Sequence, residues 1–123
     1  ISTGKYEKHT YFGIQVVDMN YELSQAVGSN VTYGILIEQA EPTGPAAKGG
    51  LRGGSRTATI AGQEYTLGGD IIISMDGVKI VNFDAFLTHL ERHTLPRQVV
   101  QVGIIRSGQH QFLQVTVEAK PAQ

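Results

Sequence analysis

Val, Ile, Phe and Tyr along this chain crowd into short segments separated by glycine-rich breaks, the pattern of several strands with few helices. Five bursts, at 11–18, 33–40, 70–75, 98–106 and 111–118, are expected to be strands. Ser107-Gly108 provides a tight turn between the last two, whose arms are rich in β-branched residues, so they should pair as a hairpin. Three segments carry helical signals instead. Asn20 can cap a helix over 21–27 that Gly28 stops, and Pro45 suits the first turn of a short helix at 44–48. Asn82 can cap a longer one running to His93, with Phe83, Phe86, Leu87 and Leu90 at i, i+3, i+4 and i+7. That stripe should face a sheet, Phe83 and Leu87 reading as core, and Pro96 ends the helix. Between Leu51 and Asp70, two arms at 57–60 and 63–67 around Ala61-Gly62 read as an inserted surface hairpin, bounded at 55–69. The expected core draws on Leu36, Ile72, Phe83 and Val102.

Composition narrows the picture. A length of 123 residues fits one domain, and 41 % hydrophobic with 17 % charged residues leaves no room for a long disordered tract. Ten basic against eleven acidic residues argue against a nucleic-acid partner, which would need a Lys/Arg surplus. No apolar run approaches the roughly 20 residues that cross a bilayer, and the start, Ile1-Ser2-Thr3-Gly4-Lys5, lacks a signal peptide's apolar stretch. Since the first residue is not Met, the chain is expected to be cut from a longer protein. Without cysteine there is no disulfide, thiolate metal site or cysteine nucleophile, and both oxidising and reducing compartments stay open.

Catalytic motifs fail one by one. No serine sits in a Gly-x-Ser-x-Gly elbow, and the glycine-rich run from Gly49 to Gly54 lacks the Lys-Ser/Thr of a nucleotide loop; it reads as a flexible approach to the hairpin. His89 and His93, at i and i+4, could chelate zinc as in a metallopeptidase. Leu90 stands where that pattern needs Glu, however, and no third ligand is indicated, so the pair reads as an exposed or groove-lining one near a helix C-terminus. His9 and His110 read as surface residues, and Asn30-Val31-Thr32 as a chance glycosylation sequon. The expectation is a non-catalytic domain with neither cofactor nor metal.

Tyr11-Phe12-Gly13-Ile14 has a different logic. A glycine between large apolar residues at a strand entrance permits a turn whose successive N–H groups point outward, a nest for an anion such as a peptide's terminal carboxylate. Beyond it, Ile14-Gln15-Val16 offers a strand edge, with Phe12, Ile14 and Val16 on one face and the helix from Asn82 as a second apolar wall. An extended peptide could enter as an added strand, its last side chain in the apolar pocket.

The Tyr-Phe-Gly-Ile tetrapeptide resembles the carboxylate-binding loop of PDZ domains. Gly44-Pro45-Ala46-Ala47-Lys48-Gly49-Gly50-Leu51 is similar to their bacterial Pro-Ala-Ala-x-Ala-Gly-Leu segment, and 69–77 resembles their Gly-Asp-x-Ile-x-x-hydrophobic-Asn/Asp-Gly element. The lead-in Thr3-Gly4-Lys5-Tyr6 and the short helix after Asn20 look most like the HtrA/Deg type, in which a trypsin-like protease precedes one or more PDZ domains. The resemblance implies a mainly β (α+β) fold: a partly open antiparallel sandwich or barrel of five to six strands capped by two helices, with the hairpin inserted. It implies one domain over 1–123, with 1–8 as lead-in and 119–123 as tail. Its site would use Tyr11, Phe12, Gly13, Ile14, Gln15, Val16, Phe86, His89 and Leu90, with Lys8 or His9 as candidate positive charge. Ligands would be C-terminal tails or exposed hydrophobic segments of other proteins, and the remaining partner would be a protease domain in the same chain. The parent would be a bacterial or archaeal serine endopeptidase outside the cytoplasm, in the periplasm or anchored to a membrane, with oligomeric assembly open. A PDZ adaptor of a scaffold or of another membrane-linked peptidase is the alternative.

Overall fold

A computed structural model describes residues 10–28, 31–60, 62–94, 97–106 and 108–119. In chain order the elements are β1 (Thr10–Tyr11), β2 (Ile14–Asp18), α1 (Tyr21–Val27), β3 (Ile35–Ala40), α2 (Pro45–Lys48), β4 (Arg56–Ile60) and β5 (Gln63–Leu67). They continue with β6 (Ile71–Met75), β7 (Val78–Lys79), α3 (Phe83–His93), β8 (Val99–Arg106), β9 (Gln109–Thr116) and β10 (Glu118–Ala119). An antiparallel sheet of order β2-β3-β6-β8-β9, with β7 on β6, forms the body; β4 pairs with β5, and β1 with β10. This is the expected mainly β fold.

Both faces of the sheet are covered, and the sequence says where. Ile35-Leu36-Ile37 of β3 and Ile71-Ile72-Ile73 of β6 are apolar at consecutive positions, as strands buried on two sides must be. Their odd and even members feed different cores. Ile35, Ile37 and Ile72 join Val102, Ile104, Val115, Phe86 and Leu90 in one cluster, whereas Leu36, Ile71 and Ile73 pack with Met19, Leu23 and Leu67 in a second on the opposite face. Leu36 therefore belongs to a different core from Ile72 and Val102. The β4–β5 hairpin supplies Leu67, Ala58, Ile60 and Tyr65 to that second core, so it is a lid over one sheet face as well as a surface feature.

Helix ends follow the capping signals. Asn20 Oδ1 accepts from the Leu23 N–H at 2.8 Å and Gly28 closes α1 in the left-handed region, while Asn82 Oδ1 accepts from Ala85 N–H at 2.9 Å. Replacing Asn82 with Ala should therefore cost about 1 kcal/mol. Urea denaturation of the two proteins checks it, and an unchanged midpoint would show that the cap contributes nothing here.

Four expectations need correction. The 11–18 strand is broken at Phe12-Gly13, because Gly13 takes φ 79° and sends β1 to pair with β10 while β2 pairs with β3. The second strand starts at Ile35, since Gly34 at φ 98° bends the chain ahead of it. Phe83 is 41 % exposed, not core, and Leu87 is half-buried. The glycine run is no flexible approach. A Cβ on Gly49 would lie 2.7 Å from Val115 Cγ2, one on Gly53 2.8 Å from Gln39 Cα, and one on Gly54 2.7 Å from the Leu67 carbonyl oxygen. Gly53 and Gly54 are there because neighbouring backbone comes too close for any side chain, and Gly49 because the Val115 side chain does. Asn30, Ala61, Pro96 and Ser107, and the lead-in 1–8, fall outside the described residues.

Asp70, nearly fully buried at the start of β6, forms a two-pronged ion pair with Arg106 at the end of β8: Nε donates to Oδ1 at 2.8 Å and Nη2 to Oδ2 at 2.7 Å. The hydrogen bonds to Asp70 raise the Arg106 pKa above its ordinary value; partial burial opposes this and the carboxylate's charge adds to it.

Candidate functional site

β2 is the terminal strand of the main sheet, paired with β3 on one side, so its outer backbone edge is not used by that sheet. α3 lies against β2. The Phe86 ring meets Phe12 edge-on at 5.3 Å, both rings nearly buried, and Leu90 continues the same helical stripe one turn on. Ile14 and Val16 are half-buried against this cluster, and Gln15 is exposed. An apolar cluster thus lies between the outermost strand of the sheet and α3.

At the entrance of β2 the backbone geometry is pinned from behind. The Phe12 carbonyl accepts from the Ala46 N–H at 3.1 Å and the Gly13 carbonyl from the Glu41 N–H at 2.9 Å. All described peptide bonds are trans, and a trans peptide sets its N–H opposite its C=O. Turning those two carbonyls toward α2 and its preceding loop therefore turns the N–H groups of Gly13 and Ile14 the other way. The φ of 79° at Gly13 lets successive peptides do this together, which is how a nest forms.

The far end of β2 is tied. Asp18 Oδ1, at the end of β2, accepts from the Phe83 N–H at 2.7 Å, joining the strand's last residue to the first turn of α3. Phe83 itself stacks on Phe86 with centroids 6.2 Å apart and keeps much of its ring in solvent. It is a wall residue that the helical periodicity assigned to the core. Nothing in the spacing distinguishes the two, because position i of a helical stripe lies at its edge or its centre according to the neighbouring elements.

Among the site residues read from sequence, Phe12, Gly13, Ile14, Val16, Phe86 and Leu90 converge, and Gln15 lies on the same edge. Tyr11 enters through its backbone, paired with Glu118 in the β1–β10 ladder. Lys8 and His9 lie outside the described residues. His89 is 5 % exposed and its Nε2 stands 3.3 Å from Asp76 Oδ2. Asp76 Oδ1 also accepts from Gln101 N–H at 2.9 Å, and with Asp76 and Gly77 both at positive φ the turn joining β6 to β7 is the type I′ hairpin of an Asp-Gly pair. His89 therefore packs against that turn. Missed in the sequence were Glu41, Ala46 and Asp18, whose contributions are two backbone N–H groups and one long-range carboxylate contact.

A strand edge left unpaired by the sheet among the described residues, a helix against that strand and a glycine loop whose Gly13 and Ile14 N–H groups turn away from α2 are the features of a PDZ fold. No family model matches the sequence. The chain is 32 % identical over 111 residues, 90 % of its length, to a probable periplasmic serine endoprotease of DegP-like type from Pseudomonas putida, and spans about a fifth of such curated relatives. Among solved structures it superposes on the HtrA-type protease AlgW with a decapeptide at TM-score 0.71, with 24 % identity, covering 94 % of this chain and 31 % of that one. It superposes on the HtrA3 PDZ domain bound to a phage-derived ligand, FGRWV, at TM-score 0.67 and 16 % identity, covering 90 % of this chain and 86 % of that one. The chain has the fold of a PDZ domain, and its homologues are DegP-like serine endoproteases.

Proposed function

We propose that this domain captures the C-terminal tail of another polypeptide by strand addition along Ile14, Gln15 and Val16, with the terminal carboxylate held by the N–H groups of Phe12, Gly13 and Ile14. The carrying observation is the pair of rearward hydrogen bonds, Ala46 to Phe12 and Glu41 to Gly13, which aim the loop's N–H groups at one end of the groove. Phe12, Ile14, Val16, Phe86 and Leu90 receive the last side chain, and Phe83 meets a residue farther upstream. The parent protein is a serine endoprotease working outside the cytoplasm, and this module is its non-catalytic receptor for the ends or exposed hydrophobic segments of substrate or regulatory proteins.

A nest of donors has no partner for the extra N–H of a terminal amide. The tightest pentapeptide from a library with free C-termini should bind at about micromolar Kd, near −8 kcal/mol, and its amidated form at least about tenfold more weakly, a difference of about 1.4 kcal/mol. Isothermal titration of both forms is the test. Equal affinities would move recognition to internal segments and refute the carboxylate role of Gly13 and Ile14.

A further inference from the structure

The Phe12 carbonyl is held by Ala46, whose segment is itself clamped by residues distant in sequence. Arg106 Nη2, besides pairing with Asp70, donates to the Gly50 carbonyl at 2.7 Å, and Asp70 Oδ2 accepts from the Arg52 N–H at 2.9 Å. Between these two anchors Leu51, nearly fully buried, donates its N–H to the Ala46 carbonyl at 3.0 Å, and the Ala46 N–H is the donor that holds Phe12. The path from ion pair to loop is thus Arg106, Gly50–Leu51, Ala46, Phe12, with one hydrogen bond at each transfer between segments. Close packing keeps the path stiff: Gly49 lies against the Val115 side chain, and a Cβ on Gly44 would touch Gly13 Cα at 3.4 Å.

From this we infer that Arg106, distant in sequence from the loop, is a positioning residue for carboxylate recognition: with Asp70 it fixes the 49–52 segment, and through α2 it fixes the direction of the Gly13 N–H group. The inference rests on the proposed carboxylate nest. A planar guanidinium is suited to the task because one group spans both Asp70 oxygens and the Gly50 carbonyl, which a lysine ammonium cannot match in geometry. Without the clamp the loop samples orientations in which its N–H groups diverge. The cost falls on the ligand's carboxylate and not on strand pairing along β2, because the β2–β3 ladder is built from different hydrogen bonds.

The test uses the library pentapeptide in free-acid and amidated forms against four proteins: wild type, Arg106→Ala, Arg106→Lys and Leu23→Ala. Leu23 is fully buried in the second core, so its truncation destabilises the fold without touching the path. All titrations are made well below each melting midpoint. Arg106→Ala should weaken the free acid about fivefold or more while leaving the amide within twofold, collapsing the acid-to-amide ratio. Arg106→Lys should fall between, and Leu23→Ala should keep the wild-type ratio. The amide resonance of Gly13 should broaden or shift in Arg106→Ala without ligand. A wild-type ratio near one would remove the nest itself. A wild-type preference for the acid retained in Arg106→Ala, or lost equally in Leu23→Ala, would overturn the positioning role alone. If Arg106→Ala does not fold, Arg106→Lys decides by the same ratio.

Discussion

Phe86→Ala should lower the stability of the domain by about 3–4 kcal/mol, since it removes a nearly fully buried ring from the centre of the main core and leaves a cavity that a strand on one side and a helix on the other cannot close. The edge-on contact with Phe12 adds about 1 kcal/mol to what burial alone supplies. Domains of this size are held by only about 5–15 kcal/mol, so the variant should melt well below wild type and lose peptide binding as the groove's floor and its helical wall separate. Urea titration with a matched Leu87→Ala variant measures it. Leu87 is half-buried and its truncation should cost clearly less; a Phe86→Ala loss no larger than that of Leu87→Ala would mean that α3 is not seated on the core as described.

Gly13→Val should have the opposite profile, a modest stability change with loss of binding. At φ 79° a β-branched residue is strained by about 1–2 kcal/mol, and the relief available is to rotate the peptides on either side. Rotation breaks the alignment of the Gly13 and Ile14 N–H groups that the Ala46 and Glu41 bonds set up. Affinity for the free-acid pentapeptide should fall by about 100-fold or more, about 2.7 kcal/mol or beyond, while the thermal midpoint drops by only several degrees. Thermal melts paired with peptide titration read both quantities. A Gly13→Val protein that melts normally and binds at wild-type affinity would place the site elsewhere.

Much of this was legible in the linear sequence because the signals are local. Asn20, Asn82 and Gly28 act within one helical turn, and the Gly108 turn within two residues, so these caps and that hairpin could be assigned from residue type alone, whereas the Asp76-Gly77 turn went unread. The strand bursts followed from β-branched and aromatic residues crowded between glycine breaks, and the glycine of the loop from its apolar neighbours. What the chain's local order could not decide was which of two faces an apolar residue meets. Leu36 and Ile72 look alike, yet the sheet separates them into different cores, and Phe83 and Phe86 lie on one stripe, yet one is exposed and the other buried. The hairpin's second role as a lid, the burial of His89 on Asp76, and the clamp from Arg106 to Phe12 all depend on partners 13 to 56 residues apart. The donors that aim the loop, Ala46 and Glu41, are main-chain N–H groups, which every non-proline residue carries. Sequence wrote the elements and the loop because those depend on near neighbours; tertiary packing alone chose the faces and the distant anchors, because a backbone donor has no side-chain signature and an apolar side chain carries no record of which core will receive it.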